Sequence, residues 1–241
     1  MLDLLYGADC QSINRRGLFG GFVGLCALPG ALAAAPARRA EPVSRALAAA
    51  GGRDLLTRVR VLSWSGRARM LLGSVPVELM VETRIEPFAR ARSDSWLVTE
   101  GREAARSVMV ERDSAFVVQY GAQTPLPPAQ AQFERQRLGA YGYLLLAPAF
   151  VSASSAQRLN AVRDGYPPIA LTLAADGRIA TADYAIAAPD PDAAAVRQHF
   201  RFTGSVAAQG VRYPRQISVT ENGRESLRLT ITDFSVDLTA A

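Results

Sequence analysis

Residues 62–85 run LSWSGRARMLLGSVPVELMVETRI, and the spacing of apolar side chains in this stretch decides the fold class. Leu62, Trp64, Ala68, Met70 and Leu72 fall on one face of an extended chain, with Ser63, Ser65, Arg67 and Arg69 on the other. Gly73-Ser74 marks a turn, after which Val75, Val77, Leu79, Val81 and Ile85 alternate with Glu78, Glu82, Arg84 and Glu86. Side chains on a strand alternate between two faces. Two such runs joined by a turn make an antiparallel hairpin with one apolar and one charged face. A solvated outer face accounts for Glu78, Glu82 and Glu86.

The alternation extends in both directions. From Phe88 to Val98, Phe88, Trp96 and Val98 keep the apolar register while Arg90, Arg92 and Asp94 interrupt it. A β-bulge explains that interruption better than a charged gate at a cavity mouth. Ser107–Val110 and Ala115–Tyr120 add a further strand pair, giving a meander of about five strands. Thr124-Pro125-Leu126-Pro127-Pro128 is a rigid connector. The pattern predicts a helix over Ala129–Leu146, weakened by Gly139 and Gly142, and a second short helix over Ala153–Val162. Strands return at Ile169–Leu173 and Ile179–Ile186, then from Phe200 to Ala207, and again from Gly210 through Val219. Asn222-Gly223 is a strong hairpin turn signal. In the strand after it, Leu227, Leu229, Ile231, Asp233 and Ser235 face one way. Before the first hairpin, Val43–Thr57 forms a short amphipathic helix stopped at Gly51-Gly52. The expectation is a mainly β (α+β) fold: a curved antiparallel sheet, or incomplete barrel, of about ten strands with a few helices over its concave face.

The amino terminus speaks to location. Residues 13–37, INRRGLFGGFVGLCALPGALAAAPA, place Arg15 and Arg16 before a weakly apolar, glycine-rich run that ends among small residues. A spanning helix needs about 20 strongly apolar residues, and this run is broken by Pro29 and carries four glycines by position 24. It matches a secretory signal, and Asn14-Arg15-Arg16-Gly17-Leu18-Phe19 has the twin-arginine arrangement. Residues 1–37 are therefore expected to be an export signal read by the twin-arginine machinery. Residues 38–241 form a single domain, periplasmic in a Gram-negative envelope and without a membrane span after cleavage. Cleavage fits after Ala33 or Ala37. Lipidation at Cys26 fits poorly, because Leu25 precedes it where a small residue is needed.

Composition narrows the chemistry. Cys10 and Cys26, the chain's 2 cysteines, both lie in the export segment, so disulfides do not hold the mature body together. All 27 basic residues are arginine, and they are scattered among acids without a basic run or interleaved aromatics, so nucleic acid is not the expected partner. The formal charge of +5 is kept by the body, because Asp3, Asp9, Arg15 and Arg16 cancel. His199 is the 1 histidine, which removes the usual serine triad and the two-histidine metal site. No pattern points to a cofactor, a metal or a catalytic set.

A short helix ending Ala50-Gly51-Gly52 leads to a strand Val59-x-Val61-Leu62-x-x-x-Gly66-x-Ala68, then a charged hairpin, Glu86-Pro87-Phe88, paired short strands and central helices. This order of parts resembles the LolA-like superfamily of outer-membrane lipoprotein carriers. The resemblance implies an incomplete barrel wrapped round lid helices, with an apolar cavity for lipoprotein acyl chains or other lipid tails and no catalysis. Candidate cavity residues are Leu62, Trp64, Met70, Leu72, Val77, Leu79, Val81, Trp96 and Val98, with Tyr141 and Tyr143 on the lid side. The alternative is an envelope assembly or sensing module whose interior is filled by its own side chains.

Overall fold

A computed structural model describes residues 41–72, 75–190 and 192–239. The export segment with Arg15 and Arg16 lies outside the described residues, as does the Leu72 side chain. The described residues form one compact unit.

Two short helices, α1 (Pro42–Ala50) and α2 (Arg53–Thr57), precede the sheet. The meander follows as β1 (Val59–Leu72), β2 (Val75–Glu86), β3 (Arg90–Leu97), β4 (Arg106–Val110), β5 (Ala115–Gln119) and β6 (Ala122–Pro125). Helix α3 (Pro128–Tyr143) crosses to β7 (Phe150–Ala153), β8 (Arg158–Arg163), β9 (Tyr166–Leu173) and β10 (Ile179–Ile186). The chain ends in β11 (Val196–Thr203), a small hairpin of β12 (Val206–Ala208) and β13 (Val211–Tyr213), then β14 (Gln216–Glu221) and β15 (Arg224–Leu238). Thirteen strands make one antiparallel sheet in the order β6-β5-β4-β3-β2-β1-β15-β14-β11-β10-β9-β8-β7. The edge strands β6 and β7 are not paired with each other, so the sheet curls without closing.

The class is as expected, and the strand count exceeds the expected ten. The difference has local causes. Ala153–Val162 is not a helix but the β7–β8 hairpin. Leu159 and Ala161 are buried and Asn160 exposed between them, a period of two that a short alanine- and serine-rich segment obscures. Pro125 ends an edge strand, where the missing N–H costs no ladder bond. Asn222 and Gly223 take φ 49° and 82°, the left-handed pair a tight hairpin requires.

The β2–β3 register overturns the expected bulge. Pairing runs unbroken from Glu86↔Arg90 to Leu79↔Leu97. The three-residue turn at Pro87–Ala89 makes like-parity residues pair, so Arg90, Arg92 and Asp94 join Glu82 and Arg84 on the charged outer face. Arg92 Nε donates to Asp94 at 2.8 Å, Arg90 pairs with Glu86 at 2.8 Å, and Arg102 pairs with Glu82. Trp96 and Val98 are corrected with them: Trp96 pairs with Met80 on the outer face, and Val98 is exposed. Ala91, Ser93, Ser95 and Leu97 take the concave face instead.

A bulge does occur, between β1 and β15. Ser65 pairs with Asp233 and Gly66 with Ile231, leaving Thr232 as the extra residue. Past it the parity switches, so Phe234 and Val236 turn inward while Asp233 and Ser235 face out, against the simple alternation.

Helix α3 lies across the concave face, and its burial grades along its length. Leu138, Gly139, Ala140, Tyr141, Gly142 and Tyr143 are buried, whereas Phe133, Glu134 and Arg137 are half-buried. Its glycines permit ring packing: a Cβ at Gly139 would sit 2.5 Å from the Tyr166 ring, and one at Gly142 3.2 Å from Phe88. Gly139→Ala is therefore expected to lower stability by about 1–3 kcal/mol despite alanine's better helix propensity, as measured by urea unfolding.

Tyrosine hydroxyls pin this end of α3. Tyr143 donates to the Pro167 carbonyl at 2.9 Å and Tyr213 to the Tyr141 carbonyl at 3.3 Å. Burial pushes the Tyr143 phenol up to about 12, and Tyr184 and Tyr213 shift in the same direction for the same reason. An unfolded phenol ionises near ~10, so the folded chain holds these protons longer. That contribution is complete below pH ~10 and is lost as pH rises towards 12, roughly 2–3 kcal/mol for Tyr143 alone. Thermal midpoints should stay level to about pH 9 and fall above pH ~10, with tyrosinate absorbance rising as the fold is lost.

Candidate functional site

Between α3, over Phe133–Tyr141, and the concave face lies a cavity of about 840 Å³. Its floor comes from the sheet centre: Trp64, Ala68 and Met70 of β1, Leu79 and Val81 of β2, Val219 of β14, and Leu227 and Leu229 of β15. Phe133, Leu138 and Tyr141 of α3 form its roof, with Val108 and Phe200 at the sides. The register explains the shared lining, since Ala68 pairs with Leu79 on one side and Leu229 on the other, and Met70 with Val77 and Leu227. Leu79, Val81 and Leu227 are only partly buried, although they face inward. Their remaining surface belongs to the hollow.

Polar groups border it on both sides: Thr83, Ser93, Ser95 and Arg106 from β2–β4, and a larger polar end opposite them. Glu134 and Arg137 of α3, Gln198 of β11, and Glu221, Asn222, Arg224 and Glu225 around the β14–β15 turn all border the cavity. Arg137 Nε donates to Glu134 at 2.8 Å. Burial opposes the Arg137 charge, and the neighbouring Glu134 carboxylate outweighs it, keeping the guanidinium protonated. The charged lining residues are Arg106, Arg137 and Arg224 against Glu134, Glu221 and Glu225, a net of zero. Among the described residues no group of three or more His, Cys, Asp or Glu is placed to hold a metal. His199 contacts Asp183 at 2.8 Å on the outside of the sheet, away from this lining.

An open antiparallel sheet curled round one crossing helix, with a hollow between them, matches known structures. A DUF1329 family protein from Desulfovibrio piger superposes with a TM-score of 0.50 at 11% identity, over 83% of this chain and 95% of that one. A LolA superfamily protein from Nitrosomonas europaea gives 0.50 at 9% identity, over 81% and 93%. The fold is LolA-like. No family model and no curated sequence matches the chain, and at these identities the likeness is one of fold.

Within the LolA-like frame, the structure places Trp64, Met70, Leu79, Val81 and Tyr141 of the sequence candidates on the lining of this cavity. Leu62 and Tyr143 are fully buried in the core beside it, without bordering it. Val77 is on the concave face but beyond the lining. The sequence candidates omitted the carboxy-terminal wall of Phe200, Val219, Leu227 and Leu229. Their alternation was visible, but nothing local shows that the last strand lies beside the first. Gln198 and Glu221 were missed as well, since a polar residue within an apolar alternation carries no signal of what it faces.

Proposed function

We propose that the chain is an exported, non-catalytic binding protein of the cell envelope that holds the apolar part of a lipid or lipoprotein acyl chain between α3 and the sheet. One observation carries this proposal: the hollow of about 840 Å³ under α3. Ligand sites span about 300–1,000 Å³ and are mainly apolar with a few polar groups. Each methylene taken from water contributes about 0.8 kcal/mol, so a long chain binds without many polar contacts. Export rests on the twin-arginine pattern at Arg15 and Arg16, and no described helix is long and apolar enough to cross a membrane. An assembly module with a side-chain-filled interior fits less well, because the hollow is open.

The test is titration of the delipidated full chain with a fluorescent acyl probe. Saturable binding of one probe per chain, displaced by methyl palmitate, is expected. Fluorescence that rises linearly without saturating would contradict the proposal.

A further inference from the structure

The polar end of the cavity is unevenly matched. Gln198 is only 3% exposed, and its Nε2 donates to Glu221 Oε1 at 2.8 Å. An ionised carboxylate only accepts, so this bond fixes which way the amide points. The amide oxygen, Oε1, is then an acceptor, and it is buried without a partner. Tyr184, paired with Gln198 across β10 and β11, does not serve it, since the Tyr184 hydroxyl is likewise without a partner. Glu221 takes part in none of the ion pairs found among the described residues. Arg137 is held by Glu134, and Arg106 and Arg224 are exposed to solvent. At this end of the cavity Gln198 Oε1 thus accepts from no protein donor, and Glu221 beside it accepts from Gln198 without an ion-pair partner. A buried acceptor left unpaired costs about 1–3 kcal/mol.

We infer that this end is a head-group site for an acyl amphiphile whose polar end donates hydrogen bonds, a hydroxyl or an amide N–H, with Gln198 and Glu221 as the acceptors. The inference rests on the carrier proposal above and adds the ligand's chemistry to it. A carboxylate or phosphate head would set an acceptor against acceptors and a negative charge beside Glu221. A donor head satisfies both groups while its chain runs along Met70, Leu79 and Leu227 towards Trp64.

Methyl palmitate and 1-palmitoylglycerol share a chain and an ester and differ in the glycerol hydroxyls, so displacement of the fluorescent probe by each isolates the donor. The full chain is expected to prefer the glyceride by about tenfold. In Gln198→Met that preference should shrink to within about twofold. Glu221→Gln gives an independent check should Gln198→Met fail to fold, and should also narrow the gap. Equal displacement by the two esters in the unaltered chain overturns the head-group site while leaving the carrier proposal standing. A preference that survives in both variants overturns it too. Failure of the probe itself to bind removes the carrier proposal.

Discussion

Gly66→Ala should cost the fold about 3 kcal/mol or more, enough to consume much of the ~5–15 kcal/mol by which a domain of this size is stable. The cause is steric. A Cβ at Gly66 would stand 2.2 Å from the Thr230 carbonyl oxygen and 3.1 Å from the Ile231 Cα. Both belong to the backbone of the neighbouring strand and cannot swing aside as a side chain would. The close approach arises at the bulge where Thr232 is squeezed out of the ladder and donates from Oγ1 to the Ser65 carbonyl at 3.2 Å. That bulge turns Phe234 and Val236 inward, and Phe234 stacks on Tyr213 at 5.3 Å. Strand pairing at the sheet centre and packing of the small hairpin therefore depend on one residue. Urea unfolding of Gly66→Ala measures the loss, and a cost below about 1 kcal/mol would show that the bulge relaxes freely.

Filling the hollow should abolish binding without harming the fold. Leu79 and Val81 face the cavity and are only partly buried, so larger side chains there enter open space. The combined Leu79→Trp and Val81→Trp variant is expected to lose acyl-probe affinity by at least about tenfold, or ~1.4 kcal/mol. Its unfolding midpoint should match the parent or rise, because the added rings bury apolar area against Trp64, Leu227 and Phe133. The same exchange at fully buried Leu62 would overpack the core and destabilise the protein. Unchanged binding in the double variant would place the ligand elsewhere.

Local periodicity revealed much of this architecture. Leu62–Ile85 declared a two-faced hairpin, and the meander from β1 to β5 falls where the alternation put it. Asn222-Gly223 announced its turn. The errors arose where parity changes. The three-residue turn at Phe88 sent Trp96 and Val98 to the outer face, and the bulge at Thr232 reversed the end of β15. Each depends on cross-strand geometry that a single segment does not encode. The cavity was half legible for the same reason: β1, β2 and α3 showed their inward residues, while the wall from β11, β14 and β15 exists only because β15 pairs with β1. Gly139 and Gly142 looked like helix weaknesses and are where the Tyr166 and Phe88 rings pack.

Native mass spectrometry tests the central claim most directly, on the chain exported by a Gram-negative host and purified without detergent. A mass exceeding the protein's by one amphiphile per chain, released on denaturation and recoverable by solvent extraction, is the expected result. A bare protein mass, with no gain after incubation with long-chain acyl compounds, would contradict it.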